Sequence, residues 1–185
     1  MLRLFIGIKT EPLPLLLTIR SDLKKVLQAS QVNWVDPSNY HITLKFLGDV
    51  EPYYINSINQ LIKHLALKIR SFTLQYNEVG IFGTKKQPRV IWFGFKDQDT
   101  IHELQASIEN SLTDLGFMAE EKTFHPHLTL ARIKNIQDTK PLMNYIELNN
   151  PKIEGEITIK EFQLFQSVLQ PEGPVYSIVQ QFRLT

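Results

Sequence analysis

The chain has no cysteine among its 185 residues. That removes a disulfide framework, a thiolate zinc site and a cysteine nucleophile together, and it suits a reducing compartment. No hydrophobic run approaches the roughly 20 apolar residues that a bilayer-spanning helix needs. The apolar opening, residues 2–8, is broken by Lys9 and Glu11 and no small-residue cleavage site follows, so it reads as a strand rather than an export signal. Glycine is sparse, with eight residues, and no glycine-rich loop follows any candidate strand. A Walker-type or dinucleotide site therefore has no support. Neither charge dominates: 20 basic and 19 acidic residues leave +1. Any nucleic-acid contact has to be local, at an end or a few phosphates, rather than along a duplex. What is present, 43% hydrophobic and 21% charged residues, is ordinary for a globular chain, expected to be soluble, cytoplasmic, monomeric and free of membrane contact.

The hydrophobic period changes repeatedly along the chain. Residues 2–8 predict a strand, and Thr10 and Pro12 open a helix with Leu16, Ile19, Leu23 and Val26 on one face. Residues 40–47 predict a second strand closed by Gly48 and Asp49. A helix follows Pro52, with Ile55, Ile58, Ile62, Leu65 and Ile69 in phase, and then a strand over 71–79. The order then restarts: strand 89–95, a helix on Ile101, Leu104, Ile108, Leu112 and Leu115, strand 123–133, a weaker helix over 142–148, and strand 155–165. A last strand, 175–184, is set off by Pro171, Gly173 and Pro174. This reads as one two-lobed domain over 1–185, with halves of about 1–80 and about 88–185 joined by a short linker. Strands alternating with helices suggest, taken alone, a parallel sheet.

The middle strand of each half carries the same local pattern. One is Tyr40-His41-Ile42-Thr43-Leu44-Lys45-Phe46-Leu47-Gly48; the other is Phe124-His125-Pro126-His127-Leu128-Thr129-Leu130-Ala131-Arg132. Five histidines and twelve threonines produce only about 0.3 chance His-x-Thr matches in this length. Two matches, 86 residues apart at equivalent places in a repeated layout, are a strong signal. Side chains two apart on a strand share a face, so His41 and Thr43 point one way while Ile42 and Leu44 bury on the other. The same parity joins His127 to Thr129. If a pseudo-twofold relates the halves, two imidazoles and two hydroxyls meet in one cleft. Imidazole moves protons near neutral pH, and threonine hydroxyls donate to phosphate oxygens as charge builds during displacement at phosphorus. One neutral histidine deprotonates water while one protonated histidine protonates the leaving oxygen, chemistry that needs neither metal nor cofactor. For a single motif the plain alternative, a half-buried sheet position with threonine for β propensity, would be preferred. For the matched pair it is not.

These motifs resemble those of the 2H phosphoesterase superfamily, and within it the RNA 2′,3′-cyclic phosphodiesterases, also known as 2′-5′ RNA ligase-like proteins. The similarity extends to Leu4-Phe5-Ile6-Gly7-Ile8, Trp34-Val35, Pro88-Arg89-Val90-Ile91-Trp92, Leu164-Phe165-Gln166-Ser167 and Gly173-Pro174-Val175-Tyr176. The resemblance implies an α+β fold of two pseudo-symmetric lobes, with largely antiparallel sheets lining a central cleft and helices outside. That expectation replaces the parallel sheet. It also implies hydrolysis of RNA 2′,3′-cyclic ends, or of 2′,3′-cyclic nucleotides, to 2′-phosphates, with a weak reverse 2′-5′ ligation. It assigns His41 as proton donor and His127 as acceptor, a direction that the residues alone leave open.

Around the motifs several readings stay open. Arg132 is a candidate phosphate or base contact, since guanidinium grips phosphate with paired donors, but its parity opposes His127 and a solvated strand-end charge fits equally. By the same parity Lys45 shares the phase of His41, while Phe46 faces away into core packing. His125 is expected to be structural or at the rim rather than a metal ligand, and no metal is expected. His64 and His102 are expected to be solvated, and Trp34, Trp92 and Tyr176 to be core or lobe-interface aromatics. Two other functions compete: the same site acting on a small cyclic nucleotide or 2′-5′ oligoadenylate, and a nucleotide-binding module with little turnover. Two proton-transfer groups disfavour the module, which has no use for them.

Overall fold

A computed structural model describes residues 1–96, 99–171 and 173–185. Its strands are β1 (Leu2–Lys9), β2 (Gln31–Trp34), β3 (His41–Val50), β4 (Phe72–Thr84), β5 (Gln87–Phe95), β6 (His127–Asn135), β7 (Glu156–Ile159), β8 (Glu161–Gln170) and β9 (Gly173–Arg183). The helices are α1 (Pro14–Val26), α2 (Ile55–Ala66), α3 (Asp99–Thr113) and α4 (Lys140–Asn149). The apolar stripes explain them. Ile101, Leu104, Ile108 and Leu112 of α3 are fully buried, and Ile58, Ile62 and Leu65 do the same work for α2. At roughly 1.5–3 kcal/mol per buried side chain, each stripe outweighs the weak intrinsic preference of a 12- to 15-residue helix in water. Proline at the first turn of α1 and α4 starts both helices where its missing N–H costs nothing.

The strands form one sheet in the order β7-β4-β5-β6-β3-β1-β8-β9, with β2 also on β6. Every described pairing is antiparallel. This is the architecture the family resemblance implies, and it overturns the parallel sheet that alternation alone suggested. The reason lies in β2, four residues with no sequence signature of their own. Helix α1 carries the chain away from β1 to pack on α4. The chain returns along the edge of β6 as β2, and the Val35 N–H still donates to the Leu130 carbonyl (3.0 Å). A 3₁₀ turn, Pro37–Asn39, then deflects it into β3, which runs back beside β1. The connection from β1 to β3 is thus not a right-handed crossover between parallel neighbours.

The chain interleaves in space. Late strands β8 and β9 extend the side holding β1 and β3, whereas β4 and β5 from mid-chain flank β6. Residues 80–88, expected as a linker, instead lie in the β4–β5 hairpin, and the single strand expected over 155–165 is divided into β7 and β8. Helices α2 and α3 pack together, with α3 on β3 and α2 on β9, while α1 packs on α4. One continuous core joins these helices to the sheet face carrying Ile42, Leu44, Leu128 and Leu130. The opposite face is left for the motif histidines. No helix among the described residues is long and apolar enough to cross a membrane.

Candidate active site

His41 and His127 open β3 and β6, which are adjacent strands paired at Ile42 and Leu128. Each histidine precedes one member of that central pair, and each threonine follows it. The two motifs therefore meet at the middle of the sheet. Ile42, Leu44, Leu128 and Leu130 are buried, while His41, Thr43, His127 and Thr129 are half-buried on the other parity, as the period-two reading predicts.

Both imidazoles are fixed in the same way. His41 Nδ1 lies 2.7 Å from the Asn39 carbonyl, and His127 Nδ1 lies 2.7 Å from the His125 carbonyl, each two residues upstream. A carbonyl only accepts, so Nδ1 carries the hydrogen and donates it, leaving Nε2 of each ring as the nitrogen that takes or gives a proton. The supports for the two carbonyls differ. Asn39 ends the 3₁₀ turn, which the Asp36 carboxylate caps through the Ser38 N–H (2.9 Å) and hydroxyl (2.6 Å). The Asn39 side chain also donates to the Pro174 carbonyl (3.1 Å), tying the turn to β9. His125 is itself exposed, so its contribution is the carbonyl it offers His127, which agrees with a structural role at the rim. Among the described residues no three His, Asp or Glu side chains converge as a metal site.

Burial pushes both histidines below the ordinary imidazole pKa of 6.5. The carbonyl hydrogen bonds oppose that shift by favouring the charged ring. Nearby positive charge reinforces it: His127 and Arg132 act on His41, and His125 and Arg132 act on His127. Arg132 therefore lies within electrostatic reach of both rings, and it also acts on Tyr176.

Two β-bulges give Arg132 and Phe46 their places. Along β6, Ile91 pairs with Ala131 but Trp92 pairs with Thr129, so Leu130 is the extra residue. Leu130 and Ala131 are consecutively buried, and Arg132 is put back on the His127 side. Along β3, Ile6 pairs with Lys45 and Gly7 with Thr43, so Leu44 is extra and Leu44 and Lys45 are consecutively buried. This corrects two parity expectations. Lys45 does not share the face of His41: it is 2% exposed, ion-paired with Glu109 of α3 at 2.6 Å and donating to the Met118 carbonyl at 2.8 Å. Phe46 does not pack in the core. It is 60% exposed and faces Phe5, whose ring lies 4.9 Å from His41.

The aromatic surroundings were the least anticipated part. His41 is enclosed by Phe5, Phe165 and Tyr176, the last meeting it edge-on at 5.1 Å. A pocket of about 210 Å³ continues from His41 between Asn39, Phe165, Tyr176 and Ile178. His127 meets Phe82 edge-on at 4.8 Å, with Trp92 behind it at 6.3 Å. The Trp92 indole lies across two glycines: a Cβ on Gly80 or Gly94 would fall 2.1 or 2.6 Å from its ring atoms. Trp92 and Tyr176, read as core or interface aromatics, thus border the histidines. Trp34 lies off the cleft beneath Arg20 and Lys24, each 5.9 Å from its ring centre. His64 is exposed as expected, whereas His102 is half-buried with Phe124 against its ring at 5.4 Å.

Comparison with known proteins gives a consistent answer. The family described as LigT-like phosphoesterase matches residues 6–92 and 95–176. An RNA 2′,3′-cyclic phosphodiesterase of Methanothermobacter thermautotrophicus is 33% identical over 156 residues, covering 84% of each chain. One of Archaeoglobus fulgidus is 30% identical over 185 residues, covering 98% of this chain and 99% of its own. In fold, the crystal structure of the Thermus thermophilus protein TT0787 superposes with a TM-score of 0.79 at 24% identity, covering 98% of this chain and 97% of that one. Match, fold and paired motifs agree: the chain is an enzyme of the LigT-like phosphoesterase family, one of the 2H phosphoesterases.

Proposed function

We propose that this enzyme opens 2′,3′-cyclic phosphodiester ends of RNA to 2′-phosphates, with His41 and His127 as the proton-transfer pair. The observation that carries the reading is the equivalence of the two imidazoles. Both have Nδ1 committed to a backbone carbonyl and Nε2 free, on adjacent strands, beside a threonine two residues on. The relatives' activity on RNA 2′,3′-cyclic phosphates supplies the substrate class.

In the proposed step neutral His127 takes a proton from water through Nε2 as the water oxygen bonds to phosphorus. Protonated His41 gives its Nε2 proton to the ribose 3′-oxygen as the phosphorus–O3′ bond breaks, leaving a 2′-phosphate. The direction follows the family assignment. Thr43 and Thr129 donate to the non-bridging oxygens, and Arg132, turned to this face by its bulge, neutralises charge building on them. When an RNA 5′-hydroxyl takes the place of water as nucleophile in the same step, the phosphorus–O3′ bond breaks as before and a 2′-5′ linkage forms weakly. The test is incubation of the pure enzyme with cyclic-phosphate-ended RNA in the presence of chelator. A 2′-phosphate product, lost in both His41→Ala and His127→Ala, is expected. Activity abolished by chelation, or a fully active His127→Ala, overturns the mechanism.

A further inference from the structure

The hairpin tips beside the two histidines differ in charge, although nearer the rings Lys9 lines the pocket at His41 and Glu78 lies against Gly94, the partner of His127. The β4–β5 hairpin that brings Phe82 and Trp92 to His127 continues into a tight turn, Lys85–Lys86, closed by the Gln87 N–H donating to Thr84 Oγ1 at 3.0 Å. Residues 79–95 hold Lys85, Lys86 and Arg89 and no acidic residue, in a chain whose net charge is only +1. All three cations are exposed, and among the described residues none has a carboxylate partner. Lys85 follows Phe82 by three residues, roughly 10 Å along an extended strand. The β8–β9 hairpin beside His41 contrasts with it. Its described tip exposes Val168, Leu169 and Val175 and carries no cation.

We propose that the Lys85–Lys86 turn, with Arg89 behind it, holds the phosphates upstream of the RNA end, so that the polymer leaves the cleft over the His127 wall. This rests on the reading of the site given above. It adds a preference for a polyanionic strand over a lone cyclic nucleotide. Unpaired cations next to the reaction centre act on such a strand by counterion release, which makes their contribution salt-dependent. A mononucleotide, with no upstream phosphate, does not feel them.

The experiment compares a ten-nucleotide RNA ending in a 2′,3′-cyclic phosphate with the corresponding cyclic mononucleotide, for wild type and a Lys85→Gln/Lys86→Gln variant. At roughly 0.4 of a decade per phosphate contact on a single strand, the three cations are expected to make wild-type kcat/KM on the oligonucleotide fall about twentyfold between 50 and 200 mM salt. The variant is expected to flatten that dependence and to lose most of the oligonucleotide preference at low salt, with mononucleotide turnover unchanged. An unaltered salt slope, or equal loss on both substrates, overturns the proposal. Should wild type cleave neither substrate, the reading of the site fails. Anisotropy of a labelled 2′-phosphate-ended RNA then decides the turn separately: an equal salt slope of binding in wild type and variant overturns it.

Discussion

Lys45 offers a sharp test of how the active face is built. It occupies the bulge that turns Phe46 toward the cleft, and its ammonium is buried against Glu109 and the Met118 carbonyl. Lys45→Met keeps the side-chain length but leaves the Glu109 carboxylate without its cation. Breaking a buried pair costs about 3–5 kcal/mol, because the remaining charge stays desolvated. Here Glu109 is 13% exposed and keeps the Gln105 amide (3.2 Å) and the more distant Glu120 N–H (3.4 Å), which places the loss near the lower end, about 3 kcal/mol. For a chain of this size that is a fall in Tm of about 6–12 °C. The companion Lys45→Met/Glu109→Leu removes both charges and is expected to return to within about 1 kcal/mol of wild type. Urea unfolding of wild type, Lys45→Met, Glu109→Leu and the double variant, read at constant m-value, measures the coupling directly. A single variant costing less than about 1 kcal/mol would make the pair equivalent to a surface ion pair. A double variant losing the sum of both singles would show that the charges do not act on each other. Either result refutes the reasoning.

Two further predictions concern the cleft. Burial holds both histidines below 6.5, and the proposed step needs one ring protonated and one neutral, so kcat/KM should peak on the acid side of 6.5 and fall as rising pH strips the acid of its proton. Arg132 lowers both pKa values, so Arg132→Gln should move that maximum upward while reducing kcat/KM; a wild-type maximum above about pH 7, or a variant maximum that moves down, contradicts this. Gly80→Ala places a Cβ inside the Trp92 ring and must displace this aromatic, which stands 6.3 Å from His127. A loss of roughly ten- to a hundredfold in kcat/KM is expected. In a Trp34→Phe background the Trp92 emission should shift as well, and unchanged activity with unchanged emission argues against the packing described.

The histidine pair was legible because it depends on two short-range facts: residues two apart on a strand share a face, and the same four-residue pattern occurs twice. The adjacency of β3 and β6 was not readable from either, although a shared cleft needed it. Phe46, Lys45 and Arg132 were misread or left undecided for one reason. Strict alternation was carried past Thr43 and Thr129, where each strand gains an extra residue. Leu130-Ala131 shows the break openly, as two consecutive apolar residues. In β3 the corresponding pair is Leu44-Lys45, and a lysine gives no sign of burial while its partner, Glu109, lies 64 positions away in α3. The aromatic walls were hidden in a similar way, since Phe5, Phe82 and Phe165 are individually indistinguishable from core residues until β1, β4 and β8 are placed beside the motif strands.

The two bulges also explain how one symmetric scaffold supports an asymmetric site. Both occur at the same offset from their histidines, and both bring the fifth residue after the histidine to the cleft. That residue is Phe46 after His41 and Arg132 after His127. The repeated backbone presents the two imidazoles equivalently, while the two side chains at the shared position differ, one apolar and one cationic. An apolar ring suits a nucleoside's faces and a guanidinium suits its phosphate, so a bound cyclic end has one favoured orientation between the histidines. On this argument the assignment of acid and base is set by how the substrate lies, not by any intrinsic difference between the rings. Exchanging the pair, as Phe46→Arg/Arg132→Phe, tests it through the leaving group. The exchange is expected to turn the substrate end for end, so that the 3′-oxygen meets His127 and the product stays a 2′-phosphate with acid and base swapped. A cyclic end with sulfur in place of the 3′-oxygen departs without a proton, so its cleavage should survive loss of the acid alone: His41→Ala in the wild type, His127→Ala in the exchanged enzyme. Survival of the same histidine variant in both backgrounds would rule out any orienting role for these two side chains.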